Sequence, residues 1–239
     1  MGLHIESRPS DSPHVERVWR SRSSDVAEMT AVASQHWDLV VWEHRGEVLA
    51  AVHGAETRAS RAPVPEDATF LGINFALGTT LEHLPPGRLV DSSTPLEAAA
   101  ERAIWLAGSA LRLPDYDNAE FFVRRLVRDG IVVRDPVVAA AVEGRPAGVS
   151  QRTVQRRFVA TTGLTRGAVQ RIERARRAAL LLREGVAAPD VVHRLGYFDQ
   201  PHLAHSLTRY IGRTATQLAT DAPAVPLSLL YKTAGGEPS

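Results

Sequence analysis

SQRTVQRRFVATTGLT, residues 150–165, and DQPHLAHSLTRYIGRT, residues 199–214, decide how this chain is read, because one overlays the other at a constant offset of 49 residues. Ser150 falls on Asp199, and both are good helix N-caps. Val154 falls on Leu203, Phe158 on Leu207, Gly163 on Gly212 and Thr165 on Thr214. Each copy is a capped helix with apolar residues four apart. A glycine suited to the left-handed residue that ends a helix follows, then a threonine to cap the next one. Five coincidences at one offset describe one supersecondary unit used twice.

At roughly 100° per residue, Val154, Phe158 and Thr161 share one side of the first helix, while Arg152, Gln155, Arg156 and Val159 lie opposite. Arginine pairs bidentately with guanine and glutamine with adenine, so this outward face suits a major-groove reader. In the second helix Leu203, Leu207 and Tyr210 face inward. Pro201, His205 and Thr208 face out, with His202 and Arg209 on the flank. Pro201 is tolerated in the first turn, where its missing N–H has no intrahelical partner. With no arginine in its first two turns, this helix is expected to add phosphate and weaker base contacts. Between the copies, residues 166–184 carry a stripe of Ala168, Ile172, Ala175, Ala179 and Leu182, and Gly185 stops the helix. Such a rod of roughly 28 Å suits two readers about one DNA turn apart.

The charge agrees. Residues 145–220 hold 13 arginines, no lysine and 4 acids, a balance of +9, which leaves the remainder at −8 although the whole chain is +1. A basic segment joined to an acidic one indicates that one part meets a polyanion. The 239 residues contain no cysteine, which excludes disulfides, thiolate zinc and a cysteine nucleophile. No apolar run nears the roughly 20 residues needed to span a bilayer, and the first residues have no apolar core of a signal peptide. The expectation is a cytoplasmic protein without contact to a membrane.

Upstream, residues 1–13 are polar and interrupted by proline, and are expected to form a loose tail. Residues 14–94 favour strands: 37–42, 47–52 and 69–77 are short apolar runs separated by turn-prone pieces. The run WDLVVW is continuous enough for a strand buried on both faces. After Pro85-Pro86-Gly87 the period changes. Leu96, Ala99, Ala103, Leu106 and Ala110 predict a linking helix within 95–114. Further helices are expected over 117–129, with Phe121, Phe122, Val123 and Leu126 inside, and over 135–143, capped by Asp135. Residues 115–220 form the helical domain, and 221–239 a flexible tail. The fold class expected is α+β, a β-rich part followed by an all-α part.

Gly148-Val149-Ser150, the run Arg152 to Phe158, Gly163-Leu164-Thr165 and Leu195-Gly196-Tyr197-Phe198-Asp199-Gln200 resemble the AraC/XylS-type transcriptional regulators over about 118–220. The resemblance implies a seven-helix double helix-turn-helix domain that binds double-stranded DNA. Ser150, Gln151, Arg152, Thr153, Gln155 and Arg156 then stand at DNA-facing positions of the first copy, and Gln200, His202, His205 and Arg209 at those of the second. The chain departs from the family in having Leu203 and Leu207 where phenylalanines are usual, Ala215 near a usual proline, and a longer turn at residues 143–147. Residues 38–42, 52–54 and 72–78 resemble, more weakly, the degenerate cupin-like barrels that precede such domains. That resemblance implies sensing or dimerisation.

His36, His44 and His53 lack the His-x-His spacing of a cupin metal site, and no cofactor is expected. Asp115, Asp117 and Glu120 are explained by a helix start, and Trp37, Trp42, Phe70 and Phe75 as core. An alkyl-transfer enzyme fused to such a module needs the absent cysteine. Two functions remain. One is a regulator controlled by a small-molecule effector or by assembly. The other is a ligand-independent adaptor whose amino-terminal part only forms homodimers or contacts RNA polymerase.

Overall fold

The computed structural model describes residues 2–24, 28–220 and 227–228. The first half of the chain runs through β1 (Gly2–Pro9), β2 (Val15–Ser24), β3 (Glu28–Ala31), β4 (Asp38–His44), β5 (Glu47–His53), β6 (Ser60–Pro63) and β7 (Thr69–Phe75). It continues with β8 (Thr79–Leu81), β9 (Ser93–Pro95), β10 (Ala98–Ala100), β11 (Ala103–Leu106) and β12 (Ser109–Arg112). Then α1 (Ala119–Arg128), β13 (Val132–Arg134), α2 (Pro136–Val142) and α3 (Gln151–Thr162) follow. The order ends with α4 (Arg166–Arg183), α5 (Ala188–Leu195), α6 (Gln200–Tyr210) and α7 (Ala215–Ala219). A strand-rich amino-terminal region thus precedes a helical one, and the fold is mixed α+β.

The chain divides into two compact units. The first comprises Met1–Val26, Gln35–Glu56 and Pro65–Arg166. Its six-stranded antiparallel sheet has the order β1-β2-β7-β4-β5-β9. Strand alternation sends Val18, Leu39, Val41, Val52, Ile73 and Phe75 into one core, which Ile104, Leu111, Phe122 and Leu126 close. Trp37 stacks on Phe75 with ring centroids 3.7 Å apart and donates its indole N–H to Thr79 O at 2.7 Å. β4 lies between β7 and β5, and Leu39, Val40 and Val41 are all buried, as a strand covered on both faces requires. His36 Nδ1 is 2.9 Å from Phe75 O, and burial pushes the His53 ring below its ordinary value. Among the described residues no cluster of His, Asp and Glu is placed to hold a metal.

The second compact unit comprises Ala27–Ser34, Thr57–Val64 and Gly167–Ser239. Here β3 pairs antiparallel with β6 alongside the helices from α4 onward. Two pieces of the amino-terminal half therefore belong with the second copy of the repeat. Leu227 bridges to Thr30, and Ser228 Oγ accepts the Val32 N–H at 2.9 Å. The rest of the carboxy-terminal tail expected from 221 lies outside the described residues.

Three expectations are corrected. Residues 2–9 are no loose tail: β1 pairs with β2 through all eight residues, because Ile5 and its neighbours find a sheet edge that local polarity cannot reveal. The linking helix within 95–114 does not exist. Residues 98–112 form a three-stranded meander, β10-β11-β12, whose last turn places Ala107 and Gly108 at φ 51° and 75°. Such a turn suits a tight hairpin. The alternation of buried Ile104 and Leu106 around exposed Trp105 overrides the helix propensity of the alanines. Phe121 is not inside but 66% exposed, since it and Phe122 point about 100° apart and the core takes Phe122, Val123 and Leu126.

Candidate nucleic-acid interface

The first helix-turn-helix unit is α2, a turn and α3, which is the helix of the first repeat copy. Asp135 caps α2, its carboxylate accepting the N–H groups of Val137 at 2.9 Å and Val138 at 3.1 Å. Arg157 on α3 reaches the same oxygen at 3.5 Å, which ties the reading helix to its support. The turn from 143 to 150 is long but built. Gly144 and Gly148 take left-handed φ of 69° and 66°, and Glu143 joins Arg145 to Arg134 in an ion-pair cluster. The hydrogen bond from Arg145 is the main reason the exposed Glu143 carboxyl lies below its usual range. Ser150 then caps α3, accepting the Thr153 N–H at 3.3 Å, and Thr153 Oγ1 lies 3.0 Å from Ser150 Oγ.

Along α3 the expected division of faces is present. Phe158 is buried at 2% and Val154 and Thr161 are half-buried, while Gln151, Arg152, Gln155, Arg156 and Val159 are exposed. Gly163 ends the helix at φ 72°. A Cβ there would sit 2.3 Å from the Val90 side chain and 2.7 Å from Gly87 O. Glycine is thus required both by backbone angle and by the close approach of the 87–90 segment. The 3-10 turn Pro86–Arg88 supplies that segment.

In the second copy α5 ends at Gly196, φ 64°, and Asp199 caps α6 by accepting the His202 N–H at 2.7 Å. Between them Tyr197 turns inward. Its hydroxyl lies 3.1 Å from Ser206 Oγ, and Arg174 of α4 covers its ring at 4.5 Å. Desolvation is the chief cause that raises the Tyr197 phenol above its ordinary value. Leu203, Leu207 and Tyr210 are buried, whereas Gln200, Pro201, Ala204, His205, Thr208 and Arg209 are exposed. His202 is exposed but engaged, since its Nδ1 accepts the Phe198 N–H at 3.3 Å and its ring meets Tyr197 edge-on at 5.2 Å. Arg209 lies over the Tyr210 ring at 5.5 Å.

The far end of α6 is held by pieces of the amino-terminal half. Ala59 N–H donates to Arg209 O and Ala33 N–H to Tyr210 O, both at 2.8 Å. Buried Arg176 of α4 donates to Ala33 O, also at 2.8 Å. Gly212, φ 73°, comes so close that a Cβ would lie 3.0 Å from Thr30 and 3.1 Å from Ala59. Sequence reasoning missed these partners, because nothing local in 27–34 or 57–64 announces a helix end that lies 150 residues beyond Ala59 and 177 beyond Ala33. It also passed over Phe198, whose ring is 90% exposed.

With this geometry in place, the comparisons add one finding. The family model described as a helix-turn-helix domain matches residues 145–221. The comparisons with curated proteins and with solved structures returned no match. Residues 145–221 are an AraC-type helix-turn-helix domain, and the function this domain brings is that of a DNA-binding transcriptional regulator. Among the described residues no helix is long and apolar enough to cross a membrane.

Proposed function

We propose that this regulator binds a specific duplex through α3 and α6 of its AraC-type domain, under control of the strand-rich amino-terminal region. The observation that carries the reading is the split of α3, with Phe158 buried and Arg152, Gln155 and Arg156 exposed on the opposite side. Arg152, Gln155 and Arg156 have the reach and donors to read base edges. Ser150, Gln151 and Thr153 at the amino-terminal turn suit phosphate contacts, where backbone N–H groups favour an anion. Gln200, His205 and Arg209 extend the contact along α6. His202 has its Nδ1 committed to the turn, so it contributes through Nε2 alone.

Control through the amino-terminal region is supported by the hydrogen bonds from Ala33 and Ala59 to the end of α6, and by the 87–90 segment against the end of α3. A shift of those segments changes the packing of a reading helix directly. A small-molecule effector is the favoured signal. The first compact unit holds an open cavity of about 560 Å³, lined by Arg20, Arg22, Val41, Leu71 and Tyr116 among others. Homodimer assembly or an RNA polymerase contact is the rival signal. Selection of binding sites from a random duplex pool with the full chain tests the main reading. One enriched sequence is expected, with affinity falling steeply as salt rises. Failure to shift any duplex at low salt sinks it. A thermal-shift screen of the full chain separates effector from adaptor, because a ligand bound only by the folded state raises the melting temperature.

A further inference from the structure

We infer that Phe198 reads the methyl group of a thymine in the major groove entered by α6. The inference rests on α6 being the second DNA reader. Phe198 is 90% exposed, more than any other large apolar side chain among the described residues. A phenyl ring left in water contributes nothing to folding. It stands immediately before the N-cap Asp199, a position from which an apolar side chain commonly packs back on the fourth helical residue. That residue is Leu203, already 1% exposed without it. The ring therefore turns away from the place where it would stabilise the helix.

Its backbone, by contrast, is held. Phe198 N–H donates to His202 Nδ1 at 3.3 Å, and Asp199 caps the helix at 2.7 Å. Tyr197 on the other side is buried between Ser206 and Arg174. A fixed backbone under an exposed ring lowers the entropy lost when the ring is covered. The first copy repeats the arrangement. Val149, 49 residues earlier, precedes the N-cap Ser150 and is 45% exposed.

The chemistry of the surface selects the partner. Around the start of α6, Phe198, Pro201 and Ala204 are exposed together, an apolar part of a surface that also presents Gln200, His202 and His205. A reading helix presents its amino-terminal residues to base edges. In the major groove the apolar feature of a base pair is the C5 methyl of thymine. The apolar part led by Phe198 is thus complementary to thymine among the four bases.

The test uses the full chain and the duplex it selects from a random pool. Each thymine of the α6 half-site is replaced singly by deoxyuridine, which removes only the methyl group. At one or two positions the wild-type protein should bind about fourfold more weakly, the value of one buried carbon. Phe198→Ala should bind the thymine duplex about tenfold more weakly and be indifferent to those replacements. Phe198→Leu should keep part of the dependence. Three results overturn the inference while leaving the two-reader reading intact. The first is a wild type indifferent to every replacement. The second is a Phe198→Ala variant that weakens thymine and uracil duplexes equally, the mark of a sugar or phosphate contact. The third is a Phe198→Ala variant that leaves DNA binding unchanged and abolishes transcription with RNA polymerase, which makes the ring a protein-docking residue. Selection of no sequence at all by wild type overturns the two-reader reading, and the inference with it.

Discussion

The two copies of the repeat agree at their caps, anchors and closing glycines and differ at most of the positions that face out. Caps Ser150 and Asp199, anchors Phe158 and Leu207, and helix-ending Gly163 and Gly212 occupy equivalent places, with φ of 72° and 73° at the two glycines. The exposed positions Arg152, Gln155 and Arg156 become Pro201, Ala204 and His205. Inward residues answer to packing, which is the same problem twice. Outward residues are free of that constraint, and on the reading proposed above they meet different stretches of DNA. Even the glycines share a second task, since each lets a segment of the amino-terminal half approach a helix end.

The harshest test of that equivalence is to remove the anchors. Phe158→Ala should cost about 3–5 kcal/mol and Leu207→Ala about 2–5 kcal/mol, because each leaves a cavity in a close-packed site. Exposures of 2% and 0% leave little room for the neighbours to relax. Denaturant melts of the full chain check this, with loss of a cooperative transition expected in either variant. Normal stability in one variant and collapse in the other would show that the copies are similar in sequence but not in structural role.

The anchors were legible in the sequence because a helix repeats its burial every three to four residues and the repeat supplied an internal control. The strands at 38–44, 47–53 and 69–75 were legible because their apolar runs are bounded by turns. Residues 95–112 were misread for a physical reason. Alanines spaced at three and four satisfy a helical stripe, while the buried set is Ile104, Leu106 and Leu111, an alternation split by the Ala107-Gly108 turn. Long-range partners left no local signal at all, as with β1 on β2 and Ala33 on Tyr210. Phe198 could have been found by extending the offset of 49 one residue upstream of the caps, where Val149 stands.

The outward faces predict a smaller, asymmetric effect. Arg156→Ala should weaken binding to the selected site by about 1–3 kcal/mol and relax selectivity at one or two base pairs. His205→Ala, at the equivalent position, should cost less than Arg156→Ala, because a neutral imidazole donates one hydrogen bond where a guanidinium offers five donors in a fork. Competition binding against selected and random duplexes reads both. Equal weakening of the two duplexes by Arg156→Ala would make it a phosphate contact and rotate the assigned face. Equal losses from Arg156→Ala and His205→Ala would remove the asymmetry.

The smallest difference expected lies in the caps. Ser150 accepts the Thr153 N–H at 3.3 Å, and its hydroxyl also engages Thr153 Oγ1. Asp199 accepts the His202 N–H at 2.7 Å, a shorter bond that a carboxylate makes stronger. Its negative charge also meets the positive end of the α6 dipole, which a hydroxyl cannot match. Replacing a cap by alanine typically costs about 0.5–2 kcal/mol. Ser150→Ala should therefore fall near the lower end of that range and Asp199→Ala near the upper end, read as shifts of the denaturant midpoint at unchanged slope. Asp199 has a second consequence that Ser150 lacks. Its cap fixes the turn from which Phe198 projects, so Asp199→Ala should also lower the thymine-over-deoxyuridine preference. Ser150→Ala should leave that preference untouched. A Ser150→Ala variant that loses it would mean that the methyl group is read from the first copy, and that Val149 rather than Phe198 makes the contact.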